Sequence, residues 1–135
     1  MAVWLHGGGY VFGGAESHGT TISYLADRLG GTVLMPLYAR APDGVWPAQR
    51  DNAIAVLDTL PAPLPVIGDS AGGHLALHVA FARRDLVSDL VLISPNTDRT
   101  GRSKTRGPNS DRDPMNDDAQ DAHLARLARP DAALD

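Results

Sequence analysis

Short apolar runs and longer helical stripes alternate along the first 95 residues. Apolar runs that end in glycine, proline or polar residues predict four strands, at residues 2–5, 32–35, 64–68 and 88–94. Apolar residues at helical spacing predict three helices, at residues 17–29, after Pro47 and at residues 71–84. Strands joined by right-handed crossover helices run parallel. The order of elements therefore predicts an α/β fold, a three-layer sandwich whose parallel central sheet has about four strands.

Particular residues mark where the predicted helices begin and end. The apolar face of the first helix is formed by Ile22, Leu25, Ala26 and Leu29. Gly30 then predicts a left-handed stop, and Pro47 suits the first turn of the second helix. Residues 71–84 are apolar almost all round, so we expect this helix to be the most buried. Pro65 fits a strand only where the sheet does not require its missing N–H.

The composition changes after Pro95. Residues 96–118 are rich in Asn, Asp, Arg, Gly and Pro, which predicts a long polar loop or the beginning of a cap. Residues 118–129 predict a short helix. We therefore divide the chain into an α/β core at residues 1–95 and a polar connection with a helix at residues 96–135.

Composition and charge narrow the class of protein. The chain has 135 residues, a formal net charge of -4 and no cysteine, which fits one compact domain. The mild acidity argues against a nucleic-acid partner, because phosphate binding requires clustered Lys and Arg. No segment approaches the ~20 consecutive apolar residues of a membrane span, and no basic region precedes an apolar run at Met1. We therefore expect a cytoplasmic protein without a membrane anchor.

The strongest chemical signal is the sequence Gly-Asp-Ser-Ala-Gly at residues 68–72. It matches G-x-S-x-G and lies between an apolar strand and an apolar helix, as the motif requires. A sharp turn there forces Ser70 into a strained backbone conformation, and Gly68 and Gly72 leave room for neighbouring backbone. The hydroxyl would then lie at the carboxyl end of the sheet and at a helix N-terminus, which favours negative charge. The pattern predicts a nucleophilic serine, and the alternative is an incidental serine in a glycine-rich turn.

A second glycine cluster, His6-Gly7-Gly8-Gly9, follows the first predicted strand. Consecutive backbone N–H groups can bind the oxyanion that forms during acyl transfer. Alone, the cluster is also compatible with a flexible turn or a phosphate loop, but the spacings of a P-loop and of a dinucleotide-binding loop are absent. Because G-x-S-x-G follows downstream, the pair of motifs indicates acyl transfer.

Together, HGGG and GDSAGG resemble the hormone-sensitive-lipase branch of the α/β hydrolases. Residues 38–43, YARAPD, and residues 46–51, WPAQRD, are similar to the family's Y-R-L-A-P-E and F-P-A-x-x-D segment. The arginine comes one place late, and Asp43 replaces the glutamate. Residues 94–98, SPNTD, resemble the S-P-x-x-D that follows the family's sixth strand. The similarity extends over most of the chain.

The resemblance implies a carboxylesterase in which Ser70 is the nucleophile. The oxyanion hole would be formed by the backbone N–H groups of Gly8, Gly9 and Ala71. The residues that shape the two motifs would be His6, Gly7, Gly68, Asp69 and Gly72. The side chain of His6 would point into the structure and hold the loop, so it would not be the general base. The implied substrate is a small-molecule ester, and no cofactor or metal is implied.

In the family the triad acid and histidine follow the serine on loops after later strands of the same sheet. The four predicted strands correspond to the third to sixth of the family's eight. We therefore expect a chain truncated at both ends that lacks the triad acid and histidine and is nearly inactive by itself, because losing the histidine costs about 10⁶ in turnover. Asp113 and His123 are weaker substitutes, since no strand precedes Asp113.

Two further features leave alternatives open. His74 and His78 are four residues apart on one helical face, a spacing that can bind a metal, but H-E-x-x-H is absent, so we expect packed core histidines. The rival to an ester hydrolase is a non-catalytic α/β-hydrolase-like binding protein or a degenerate gene fragment. A second chain that completes the sheet is a third possibility. Strands 32–35 and 88–94 would be uncovered edges, which predicts self-association.

Overall fold

The structure is a computed structural model of the chain, and it describes residues 1–97. Within that range four strands and three helices alternate along the chain. Their bounds are β1 Ala2–Leu5, α1 Ala15–Leu29, β2 Val33–Leu34, α2 Ala48–Leu57, β3 Leu64–Asp69, α3 Ala71–Ala82 and β4 Val87–Ile93. A short 3-10 helix, Arg84–Leu86, connects α3 to β4.

All the strand pairs are parallel, and the strand order is β2-β1-β3-β4. The predicted parallel α/β sheet is therefore confirmed. Pro65 lies in the central strand β3, and the register of β3 against β4 shifts between Leu64 and Val66. This irregularity falls where proline cannot donate a ladder hydrogen bond. Because parallel strands share their direction, the residues that follow β1, β3 and β4 lie along one edge of the sheet.

Helices cover both faces of the sheet, as a three-layer sandwich requires. On one face α2 and α3 enclose the larger core, whose fully buried members include Val3, Leu5, Val66, Leu75 and Val79. On the other face α1 packs through Ile22 against Ala2, Trp4 and Ile67. This second core is small. Much of the same face of the sheet lines an open groove of about 690 Å³, which is bordered by Val91 and Ile93.

Most predicted elements are observed with boundary changes of a few residues. Pro47 lies immediately before α2, one place earlier than predicted, and its carbonyl accepts the N–H of Asp51 at 3.1 Å. Helix α1 ends at Leu29, and Gly30 is left-handed as expected. Leu29 shares the predicted apolar face of α1 with Ile22, but unlike Ile22 it is not buried. The side chain is 59% exposed because the last turn of α1 borders the open groove.

Within residues 1–97 the two outer strands are β2 and β4, as the resemblance implied. No helix in the described part of the chain has both the length and the hydropathy that crossing a membrane requires. The predicted helix at residues 118–129 lies outside the described residues, as does nearly all of the predicted second segment.

Candidate active site

The strand-to-helix turn at residues 68–72, which we call the elbow, holds Ser70 in a strained conformation. Ser70 has φ 50° and ψ -116°, which non-glycine residues rarely adopt. A Cβ atom at Gly68 would overlap the carbonyl group of Gly72, and one at Gly72 would overlap the carbonyl oxygen of Leu5. Glycine at these two positions lets β3 turn directly into α3 and lets α3 begin against the end of β1, as the motif predicted.

Backbone hydrogen bonds hold Ser70 on both sides. Its N–H donates to the carbonyl oxygen of Ile93 at 2.9 Å. Its carbonyl oxygen accepts the N–H groups of His74 and Asn96, each at 3.1 Å. The end of β4 and the turn after it, which resembles the family's S-P-x-x-D segment, therefore hold the elbow in place through hydrogen bonds. Ser70 itself is exposed to solvent.

The loop at residues 6–10, which we call the glycine loop, follows β1 at the same edge of the sheet. Gly8 has φ 117°, and a Cβ atom there would overlap the carbonyl group of Phe12, so this position requires glycine. The Gly8 carbonyl accepts the N–H of Phe12 at 3.0 Å, which closes the turn. Within residues 1–97 no backbone hydrogen bond uses the N–H groups of Gly8, Gly9 or Ala71. Within the described range these three N–H groups therefore have no backbone acceptor.

Asp69 joins the elbow to the glycine loop. Its Oδ1 accepts the backbone N–H of Gly7 at 3.0 Å and the indole N–H of Trp4 at 2.9 Å. Its Oδ2 lies 3.3 Å from Nε2 of His18, near the beginning of α1. One carboxylate adjacent to Ser70 thus holds β1, the glycine loop and α1 together.

His6 lies beneath the glycine loop and points into the protein. The residue is 1% exposed, its Nδ1 donates to the Gly7 carbonyl at 2.7 Å, and its ring stacks on Tyr38 with centroids 4.3 Å apart. The Tyr38 hydroxyl donates to the carbonyl oxygen of His6 at 2.5 Å. Burial lowers the pKa of His6, although the hydrogen bond to Gly7 opposes this effect. Burial also raises the pKa of Tyr38, with a smaller contribution from Asp69.

The segment at residues 38–43 supports the glycine loop despite its departures from the family pattern. Besides the contact of Tyr38 with His6, the late arginine, Arg40, donates from Nη1 to the carbonyl oxygen of Gly13 at 2.7 Å. The N–H of Ala41 donates to the carbonyl oxygen of Tyr10 at 2.8 Å. The segment therefore contacts the chain both within and after the loop.

His74 and His78 are core residues, as predicted, with 1% and 8% exposure. Nδ1 of His74 lies 2.6 Å from the Tyr10 hydroxyl, and Nε2 of His74 lies 3.2 Å from Nε2 of His78. The ring of Trp46 packs against both histidines. Burial lowers the pKa of His78, with a smaller contribution from Arg50. In the described part of the chain, no group of three or more His, Cys, Asp or Glu side chains is placed to hold a metal ion.

The elbow and the glycine loop provide an exposed hydroxyl and free N–H donors at one edge of the sheet. Among residues 1–97, no histidine hydrogen bonds to the Ser70 hydroxyl: His6 bonds to Gly7, and His18 contacts Asp69 and Ser17. Asp113 and His123 lie outside the described residues. The described part therefore places the exposed Ser70 and the glycine loop at one sheet edge, and within residues 1–97 no histidine side chain contacts the Ser70 hydroxyl.

Three residues at the site were not singled out from the sequence, namely Trp4, Tyr10 and His18. A buried indole or phenol group requires a hydrogen-bond partner, and both aromatic residues lie next to the glycine cluster. That proximity was the available signal for Trp4 and Tyr10. We find no comparable signal for His18, because its partner Asp69 is 51 residues away in the sequence.

Comparison with known proteins places these features in a family. A family model described as alpha/beta hydrolase fold matches residues 2–135. The chain is 37% identical to an acetyl-hydrolase from Streptomyces hygroscopicus, with 71% of this chain and 36% of the relative covered. It is 36% identical to an ethyl acetate hydrolase from Pseudomonas putida, with 74% and 36% covered. The chain thus spans about a third of the length of these curated relatives.

Solved structures agree with the sequence comparison. An esterase from the bacterial hormone-sensitive lipase family superimposes with a TM-score of 0.85 at 30% identity. The match covers 93% of this chain and 46% of that esterase. The resemblance to this branch, based on HGGG and GDSAGG, is therefore confirmed. By sequence and by fold, the chain belongs to the α/β-hydrolase family and is similar to its hormone-sensitive-lipase-like esterases.

Proposed function

We propose that this chain carries the nucleophile and the oxyanion donors of a serine carboxylesterase. The proposal depends chiefly on the strained, exposed Ser70 at the same sheet edge as the glycine loop, with Asp69 bonded to Gly7 at 3.0 Å. Ser70 occupies the N-cap position of α3, but its side chain makes no capping hydrogen bond within residues 1–97, so capping does not account for its positive φ. Strain of this kind is typical of functional turns.

In the proposed reaction, Oγ of Ser70 attacks the carbonyl carbon of an ester while a base takes the hydroxyl proton. The carbonyl oxygen becomes an oxyanion, which accepts hydrogen bonds from the N–H groups of Gly8, Gly9 and Ala71. Collapse of the tetrahedral intermediate expels the alcohol, which regains a proton, and leaves an acyl group on Ser70. Water then attacks the acyl carbon in the same way, releasing the acid and restoring the hydroxyl. Each N–H donor is worth about 3 kcal/mol of barrier.

The base is proposed to lie outside residues 1–97, because no histidine side chain in that range hydrogen bonds to the Ser70 hydroxyl. Without such a base, the serine hydroxyl keeps a high pKa and is a poor nucleophile. We therefore expect the isolated chain to be nearly inactive, with turnover reduced by about 10⁶ relative to a complete triad.

The substrate is proposed to be a small ester with a short acyl group. Two relatives are named for acetyl and ethyl acetate hydrolysis. Nitrophenyl acetate is therefore the first ester to test.

The proposal is tested by locating the acetyl group after incubation with nitrophenyl acetate and free imidazole, which supplies a base. Peptide mass spectrometry should find acetylation at Ser70 in the wild-type chain and none at position 70 in Ser70→Ala. The exposed strand residue Ser88 provides the matched control, since Ser88→Ala should be acetylated at Ser70 as fully as wild type. Acetylation of surface residues alone, with Ser70 unmodified, would rule out the nucleophile assignment.

Self-association of the isolated chain is also proposed, because β4 is an outer strand of the sheet that residues 1–97 form, and several of its side chains are exposed. Val91 and Ile93 are 47% and 44% exposed on that strand. Unpaired strand edges readily pair with other chains. Sedimentation velocity should show species larger than a monomer, and a monodisperse monomer that unfolds cooperatively would contradict the proposal.

A further inference from the structure

We propose that Tyr10 and His74 are positioning residues for the esterase reaction. Their hydrogen bond links the glycine loop to α3 and so sets the distance between the oxyanion donors and Ser70. The inference rests on the proposed function, and it concerns two residues that neither motif assigns to the site.

The glycine loop cannot hold its own shape through side chains, because three of its residues are glycines. At its beginning, Gly7 is fixed by Asp69, and His6 is fixed by Tyr38. At its end, Tyr10 takes a left-handed conformation with φ 66°. A non-glycine residue keeps such a conformation only where its surroundings hold it firmly.

Packing and hydrogen bonds hold Tyr10 in this conformation. The residue is 1% exposed, and its ring packs edge-on against Tyr38, with centroids 6.2 Å apart. Its carbonyl oxygen accepts the N–H of Ala41 at 2.8 Å. Its hydroxyl lies 2.6 Å from Nδ1 of His74, a short hydrogen bond in a buried site. Of these contacts, only the bond to His74 reaches the helix that begins at the nucleophile.

His74 connects Ser70 to the glycine loop. It lies one helical turn after Ser70, and its backbone N–H donates to the Ser70 carbonyl at 3.1 Å. The same residue therefore bonds to the elbow through its backbone and to the glycine loop through its ring. Any displacement of α3 moves both halves of the site together, which preserves the geometry that an oxyanion requires.

His78 extends this connection into the core. A consistent assignment of protons has the Tyr10 hydroxyl donating to Nδ1 of His74 and Nε2 of His74 donating to Nε2 of His78. Trp46 encloses the three rings, with centroid distances of 6.2, 5.7 and 4.6 Å to Tyr10, His74 and His78. Hydrogen bonds are stronger in such an enclosed site than in water.

The test is the variant Tyr10→Phe, which removes one oxygen atom and keeps the ring. In ¹H–¹⁵N spectra, the amide signals of Gly8 and Gly9 should shift, whereas that of Gly7, held by Asp69, should move less. Tyr24→Phe is the matched control, because Tyr24 is 66% exposed on α1, and it should leave these signals unchanged. Folded Tyr10→Phe whose Gly8 and Gly9 signals coincide with those of wild type would overturn the inference.

A kinetic measurement separates positioning from simple stabilisation. Where Ser70-dependent turnover of nitrophenyl acetate is measurable, Tyr10→Phe should lower kcat about tenfold with KM little changed, because a displaced loop weakens the transition state. An unchanged kcat would also overturn the inference. Absence of Ser70 acetylation would instead refute the proposed function, and the amide shifts would still decide whether Tyr10 holds the loop.

Discussion

The elbow and the glycine loop meet at one edge of the sheet, yet different kinds of contact hold them in place. The elbow is set by backbone: β3 and α3 flank it, Gly68 and Gly72 allow close approach, and Ser70 bonds through its N–H and carbonyl groups. The glycine loop closes its own turn through backbone hydrogen bonds at Gly8, but side chains from other parts of the chain attach it to the rest of the site. Its main supports are Asp69, Tyr38 and His74, with the hydrogen bonds given above.

This difference predicts how each half responds to substitution. A turn held by backbone packing has no side chain that can move aside, so one added carbon atom is costly. In a loop held by hydrogen bonds, one substitution removes only one or two of the bonds. Each substitution should therefore lower the free energy of unfolding by a smaller amount.

The largest effect is expected for Gly72→Ala. The added methyl group would overlap the carbonyl oxygen of Leu5, which belongs to β1 and cannot rotate away. We expect the free energy of unfolding, measured in urea, to fall by about 3 kcal/mol. Gly19→Ala is the control: a Cβ atom there meets nothing within 4 Å inside α1, and alanine should add up to ~1 kcal/mol. Equal effects of the two changes would contradict backbone control of the elbow.

A smaller loss of unfolding free energy is expected for Asp69→Ala, which removes the carboxylate that joins the elbow to the glycine loop. The buried N–H groups of Trp4 and Gly7 would lose their acceptor, and we expect about 2 kcal/mol of destabilisation. Asp27→Ala, on the exposed side of α1, should change stability by less than ~0.5 kcal/mol. If both variants unfold at the same urea concentration, Asp69 does not hold the glycine loop.

Ser70→Gly should stabilise the chain while removing the nucleophile. Glycine relieves the strain at φ 50°, and this gain should exceed the entropy cost of glycine by about 1 kcal/mol. Ser88→Gly, in the extended strand β4, relieves no strain and should cost ~0.5–1 kcal/mol. A lower urea midpoint for Ser70→Gly than for wild type would show that the elbow is not strained.

The smallest effect is expected from pH, through the buried His6 beneath the glycine loop and, in the same direction, through His78 on α3. Burial lowers the pKa of His6 below 6.5 in the folded state, so below about pH 6.5 the unfolded chain binds more protons than the folded chain. The free energy of unfolding should therefore have its full value above about pH 6.5 and decline as the pH falls towards the pKa of His6 in the folded chain. His6→Asn keeps a donor for Gly7 but does not titrate, so its stability should decline less between pH 6.5 and 5. If wild type and His6→Asn lose the same free energy of unfolding between pH 6.5 and 5, this expectation is contradicted.

The sequence predicted the elbow better than it predicted the supports of the glycine loop. Apolar runs and helical spacing identified every described strand and α-helix, and G-x-S-x-G identified the strained serine, because these signals are local. The bonds of Asp69 to Trp4 and His18 join residues 65 and 51 positions apart. No local pattern encodes such pairs. They became visible only once β1, α1 and β3 were placed side by side.

The exposed Leu29 illustrates the same limit. Helical periodicity shows which residues share a face, but it does not show how far the neighbouring sheet extends beneath that face. The side chain of Ile22 meets the sheet and is buried, whereas that of Leu29 lies beyond it at the open groove.

The most direct test of the site is titration with phenylboronic acid, which forms a negatively charged tetrahedral adduct with a serine hydroxyl. With Ser70 as nucleophile and the glycine loop as oxyanion donor, the ¹⁵N-amide signals of Gly8, Gly9 and Ala71 should shift together in the wild-type chain and stay unchanged in Ser70→Ala. If ¹¹B spectra show the tetrahedral adduct on Ser70 and the three signals do not move, or if they move equally in both proteins, then Ser70 does not face these amides.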